Sequence, residues 1–118
     1  MKNKTFLQSI ACAVKGFALA LRTEKNFKHY FAITLFFLLV NLLAGVEFSC
    51  YIMQVVTSLG VFSSECANTA IERLCDRITL DVNPEIKAIK DIAAGAVLCW
   101  GIVFFLLEFV FIGRAFLC

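Results

Sequence analysis

The chain has 118 residues, 61% of them hydrophobic and only 17% charged, with a mean hydropathy of +0.87. A soluble domain carries about 25% charged residues, so the composition argues against a water-soluble fold, and one compact unit accounts for the length. The net charge of +2 is too small to point to nucleic acid as a partner.

Six cysteines stand at 12, 50, 66, 75, 99 and 118 without a C-x-x-C pair, and His29 is the only histidine. That spacing argues against a zinc site. Most of these cysteines fall in apolar runs, where the thiol acts as a small hydrophobe. Cys50 and Cys118 fall on one side of a membrane-spanning arrangement, but a disulfide between them is not expected.

Residues 1–28 mix charge with a stripe. Lys2, Lys4, Lys15, Arg22, Lys25 and Lys28 are basic, while Phe6, Leu7, Ile10, Ala13, Val14, Phe17, Ala18 and Leu21 recur at helical spacing. The apolar residues are spread along a stripe rather than gathered in a continuous core, which is a poor fit to a signal peptide. The pattern predicts an amphipathic helix in the membrane interface, basic side to the headgroups.

Residues 29–46 carry no formal charge, a length near the lower limit for a span. Tyr30 suits the aromatic belt at one end. After Glu47 a second uncharged run extends from Phe48 to Ser64 and continues as helix to about Ile78. Asn83 is a good N-cap and Pro84 fits the first position of a third helix. That helix contains the uncharged run 92–107 and is closed by Arg114. Its small residues, Ala88, Ala93, Ala94, Gly95, Ala96 and Gly101, allow close helix packing in a bilayer. The predicted fold is an all-α membrane protein in one domain. It has a surface helix over 1–28 and transmembrane helices over 29–47, 48–78 and 84–116, the second with a cytoplasmic extension. Basic residues gather at the N-terminus and at Arg73, Arg77, Lys87 and Lys90, which places both regions in the cytoplasm.

The charged stretch between the second and third runs holds the candidate chemistry. On a helix, Glu65, Glu72 and Asp76 fall within about 40° of one another, with Asn68 about 60° to one side. Glu65 and Glu72 are two turns apart, roughly 10 Å. Acids and an amide on one stripe repel unless a cation joins them, and such oxygens suit Mg²⁺, which takes one or two carboxylates plus substrate phosphates. The plainer alternative is a solvated face with local pairs from Asp76 to Arg73 and Arg77. It is weakest for Glu65, since an acid abutting a long apolar run is a functional candidate. Lys90-Asp91 lies at the same depth on the third helix, where a lysine can hold phosphate oxygens. Carboxylates, a lysine and a membrane floor fit phosphoryl transfer, which needs positioning and charge neutralisation. No Walker motif or kinase Gly-rich loop is present.

The motif Glu65-x-x-Asn68-x-x-x-Glu72-x-x-x-Asp76-Arg77, followed by Lys90-Asp91-x-Ala93-x-Gly95-Ala96-Val97-Leu98, resembles the bacterial diacylglycerol kinase/undecaprenol kinase family. Lys15-Gly16, the Glu24-x-x-Phe27 stretch and the order of the three spans extend the resemblance over nearly the whole chain. It implies a homotrimer in the bacterial plasma membrane, with active sites between subunits, that phosphorylates a lipid alcohol with ATP and Mg²⁺. By this resemblance Glu65 is the general base on the lipid hydroxyl. Glu24 and Glu72 bind the metal, Asn68 lies beside them, and Lys90 touches the nucleotide phosphates, with Asp76 and Asp91 on the nucleotide side. Glu24 on its own reads as one charge at a solvated helix end. The first helix offers Thr5, Gln8 and Cys12 where basic and aromatic nucleotide contacts are expected, so its contacts stay open. The Pro-containing link at 80–85 resembles the undecaprenol kinase branch more than the diacylglycerol kinases of Gram-negative bacteria. Undecaprenol is therefore the favoured substrate and diacylglycerol the second. Two further classes are a small transporter with Glu65 as an intramembrane cation or proton site, and a purely structural membrane subunit.

Overall fold

The computed structural model describes residues 5–117. Lys2, Lys4 and Cys118 lie outside them, so the Cys50–Cys118 question does too. Among the described residues the structure consists of four helices: α1 (Phe6–Thr23), α2 (Lys25–Ala44), α3 (Phe48–Ile78) and α4 (Pro84–Leu117).

Each boundary has a local cause. Thr5 starts α1 with a capping box: its hydroxyl accepts from the Gln8 amide (3.2 Å), and its own amide donates to Gln8 Oε1 (3.0 Å). At Glu24 the backbone is extended (φ −103°, ψ 118°), and this single residue both ends α1 and starts α2. The break thus falls at residue 24, not near 28, and α2 begins with the charged turn that the sequence pattern assigns to the surface helix. Gly45 ends α2 in the left-handed region (φ 68°), where a residue without Cβ is unstrained, and its amide donates to the Asn41 carbonyl at 3.0 Å. Asn83 caps α4 as its sequence predicts, its side-chain oxygen accepting from the amides of Glu85 (2.9 Å) and Ile86 (3.2 Å).

Among the described residues three helices are long and apolar enough to cross a membrane: α1, α2 and α4. The sequence pattern placed spans on α2, α3 and α4 instead. The difference on α3 has a physical origin. Its apolar run is diluted by Gln54, Thr57 and Ser58, and all three are buried inside the protein. Its outer face carries Ile52, Met53, Val55, Val56 and Leu59, all exposed. Averaged hydropathy counts the buried polar side chains against a helix whose outward surface is apolar.

The most extensive packing joins α3 to α4. Gly60 makes it possible, since a Cβ at that position would overlap the Trp100 ring. Between α2 and α3 the Phe27 and Phe62 rings stack at 5.7 Å, with Ala20 of α1 in the same cluster. A second cluster, Phe37, Val61 and Phe104, ties all three long helices together. Outside these clusters many large apolar side chains of α1, α2 and α4 are exposed, the surface expected of helices that face lipid or other membrane helices. The 34 residues of α4 correspond to about 51 Å, well beyond a hydrocarbon core of about 30 Å. The surplus length carries Lys87, Lys90 and Asp91 clear of the apolar run.

Candidate active site

Glu65 lies on α3 directly after the uncharged run that ends at Ser64 and is only 3% exposed. Two side chains of α2 hold it. Asn26 donates to Oε1 at 3.4 Å and the Tyr30 hydroxyl donates to Oε2 at 3.2 Å. Both bonds are long. Among the described residues no Lys, Arg or His forms an ion pair with it. The result is a buried carboxylate, oriented but not neutralised.

One turn further along α3, Asn68 is also buried and donates from Nδ2 to Glu72 Oε1 at 2.9 Å. This i,i+4 bond fixes the amide and leaves Asn68 Oδ1 buried without a donor. Glu24 arrives from the α1–α2 break. Because it makes no capping bond, its side chain is free to reach α3, where Arg73 Nη2 donates to its Oε1 at 3.1 Å and also bonds the Thr23 hydroxyl. Glu24 therefore meets α3 at Arg73, the residue next to Glu72.

The nucleotide-side candidates split into two pairs. Lys90 of α4 bonds Asp76 of α3 at 2.8 Å. That hydrogen bond holds the Lys90 ammonium above the ordinary lysine range. Asp91 pairs instead with Lys87 one turn back, at 2.6 Å. The local pairs of Asp76 with Arg73 and Arg77 are not what forms. Arg73 is drawn to Glu24, and Arg77, one residue along, points elsewhere on the helix.

The sequence model of the family described as Prokaryotic diacylglycerol kinase matches residues 11–112. A protein of Bacillus subtilis (strain 168) named Undecaprenol kinase is 38% identical over 98 residues, covering 83% of this chain and 80% of its own. The chain belongs to the prokaryotic diacylglycerol kinase family.

A member of this family is a lipid kinase, which uses ATP and a lipid substrate, and the transporter and structural-subunit readings give way to that one. The donor set can be weighed against the Mg²⁺ that such a reaction ordinarily employs. Among the described residues no three His, Cys, Asp or Glu side chains cluster as a self-sufficient metal site. Mg²⁺ does not need one, because substrate phosphates and water complete its shell. The Asn68 Oδ1 atom, buried and without a donor beside the Glu72 carboxylate, is the kind of oxygen a cation satisfies. The residues fit the ion on that ground.

Asn26, Tyr30 and Arg73 are the contacts that sequence reasoning missed. Asn26 and Tyr30 are four residues apart on one face of α2, a spacing any helix contains, and nothing local in the sequence links them to Glu65. Tyr30, expected in an aromatic belt, turns its hydroxyl inward.

Proposed function

We propose that the chain transfers the γ-phosphoryl group of ATP to undecaprenol, giving undecaprenyl phosphate and ADP. The observation that carries this is the buried, cation-free carboxylate of Glu65, at the edge of an apolar run and one turn from the Asn68–Glu72 pair. The similarity to the Undecaprenol kinase of Bacillus subtilis supports the choice of lipid.

In this reading Glu65 accepts the proton of the lipid hydroxyl as its oxygen attacks the γ-phosphorus and the bond to the bridging oxygen of ADP breaks. Asn26 and Tyr30 keep the carboxylate aimed. Glu72 and Glu24 would hold the metal, with Asn68 Oδ1 beside them, Glu24 exchanging its exposed pair with Arg73 for the ion. Mg²⁺, when bound, neutralises charge on the phosphate oxygens. Lys90 binds phosphate oxygens as a point charge, held in place by Asp76, and Asp91 lies on the same nucleotide side.

The surrounding arrangement follows the same logic. The α1 helix lies in the cytoplasmic interface, with Phe6, Leu7, Ile10 and Val14 in the acyl boundary; Lys15 and Arg22 weigh against a transmembrane course. Helices α2, α3 and α4 cross the bacterial plasma membrane, with the N-terminus and the 73–90 region in the cytoplasm where ATP is found. Three chains assemble as a homotrimer, consistent with the large exposed apolar surface of a single chain.

The test is ATP-dependent phosphorylation of undecaprenol and of diacylglycerol, in competition, by purified protein in mixed micelles. Undecaprenol is expected to be turned over with the higher kcat/KM. Preference for diacylglycerol would reverse the substrate assignment, and phosphorylation of neither lipid would overturn the reading.

A further inference from the structure

Far from the Glu65 site, a second acid is buried inside the membrane-spanning bundle. About 27 Å of helix separates Lys90 from Glu108 along α4. Glu108 has 0% exposure, as does Asn41 near the end of α2, and Gln54 of α3 is 4% exposed. Asn41 Nδ2 donates to Glu108 Oε2 at 2.9 Å and to Gln54 Oε1 at 3.3 Å. Gln54 Nε2 in turn donates to the Thr34 carbonyl at 3.4 Å. The triad therefore draws one side chain from each of the three long helices.

The bookkeeping of oxygens in this triad is informative. Among the described residues, Glu108 Oε1 and Asn41 Oδ1 are both buried and have no hydrogen-bond partner. Among the described residues, ion pairs involve Glu24, Asp76 and Asp91, and none reaches Glu108. A fully buried carboxylate with a single amide donor and no cation carries a heavy desolvation penalty. Two orphaned acceptors in one small polar island are likewise costly. A single proton cures both defects. On Glu108 Oε1 it turns that atom into a donor, and the free acceptor Asn41 Oδ1 belongs to the same amide that already donates to Oε2. With that proton the acid and the amide have the donors and acceptors for two complementary hydrogen bonds.

We propose that Glu108 is a neutral carboxylic acid, and that Asn41, Gln54 and Glu108 form a proton-holding site that pins α2, α3 and α4 in register. Polar side chains that hydrogen-bond across membrane helices fix their relative depth and rotation, since slippage would leave each group unpaired in hydrocarbon. The site takes no part in phosphoryl transfer.

Substitution by glutamine separates this state from its rivals. A Gln amide can donate to Asn41 Oδ1 and accept from Asn41 Nδ2, as a protonated Glu does. In bilayers at neutral pH, the infrared difference between wild type and Glu108→Gln is expected to show loss of a protonated-carboxyl C=O band. Loss of a carboxylate band alone would overturn the proposal. Thermal unfolding in micelles should place Glu108→Gln within about 2 °C of wild type and Glu108→Ala lower by more than about 5 °C. If Glu108→Gln fails to fold or falls as far as Glu108→Ala, the site holds a charge, not a proton. A wild-type midpoint that rises with Na⁺ or K⁺ at constant ionic strength would identify a bound cation and equally overturn the proposal.

Discussion

At the residue scale the proposed chemistry turns on how a buried carboxylate is held and aimed. Glu65 is nearly inaccessible, but its two partners, Asn26 and Tyr30, are neutral donors at long range. Glu65→Gln keeps the shape and removes the basic oxygen. Its kcat is expected to fall by about 10²- to 10⁴-fold, the typical share of general base catalysis, with KM for ATP within about twofold. Steady-state kinetics in micelles checks this, and an unchanged kcat would move the base elsewhere. Tyr30→Phe removes only an orienting bond and should cost less, about tenfold in kcat or below. By contrast Lys90→Ala leaves Asp76 without its partner. Its effect belongs in KM for ATP, and a variant impaired only in lipid KM would argue against the nucleotide assignment.

At the element scale, two junctions govern the site. The first is the break at Glu24. Because one extended residue serves two helices, the carboxylate is released from capping and projects toward α3, where Arg73 meets it. The side chains of that pair are 47% and 26% exposed, so it contributes little to stability and is easily exchanged for another cation. The second junction is the close approach of α3 and α4 at Gly60 and Trp100. A methyl group at Gly60 would meet the face of the indole, and overpacking of this kind costs about 1 to 3 kcal/mol. Gly60→Ala should lower the unfolding midpoint, and a smaller residue at Trp100 in the same chain should recover part of the loss. An unchanged midpoint in Gly60→Ala would show that the helices separate freely there. This contact also sets the depth of Lys90 against Asp76, so the same variant should weaken ATP binding.

At the scale of the whole molecule, an apolar exterior surrounds an interior in which aromatic clusters alternate with buried polar side chains. Exposed Leu, Ile, Val and Phe residues cover the long helices, while Gln54, Thr57, Ser58 and Glu108 are turned inward. The apolar exterior fits the bilayer as solvent. The proposed orientation is directly testable. A cysteine at Asn83, in the exposed link between α3 and α4, should react with an impermeant thiol reagent in inside-out vesicles and not in intact cells, with the native cysteines as control. Labelling in intact cells would invert the topology. Removal of divalent cations should abolish phosphorylation and be reversed by Mg²⁺, without loss of the helical signal, because among the described residues no three His, Cys, Asp or Glu side chains group into a metal site on which the fold could depend.

The sequence by itself determined the helices, the membrane and the family. These are carried by local patterns: apolar runs of spanning length, the cap at Asn83, and a motif whose members lie on one face of one helix. Glu65, Asn68, Glu72 and Asp76 were legible because helical periodicity alone places them together. The tertiary structure decided which residues from other helices complete each pair. Nothing within three or four residues of Glu65 predicts Asn26 and Tyr30, and Asp76 has arginines nearby in sequence yet pairs with Lys90 across the gap between α3 and α4. The same holds for Glu108, which reads as a charge near the end of an apolar run until Asn41 and Gln54 are seen to enclose it. Periodicity fixes the direction of a side chain around its own axis. The depth and rotation of one helix against another depend on packing contacts such as Gly60 on Trp100, which are summed over the whole interface and leave no mark in a short stretch of sequence.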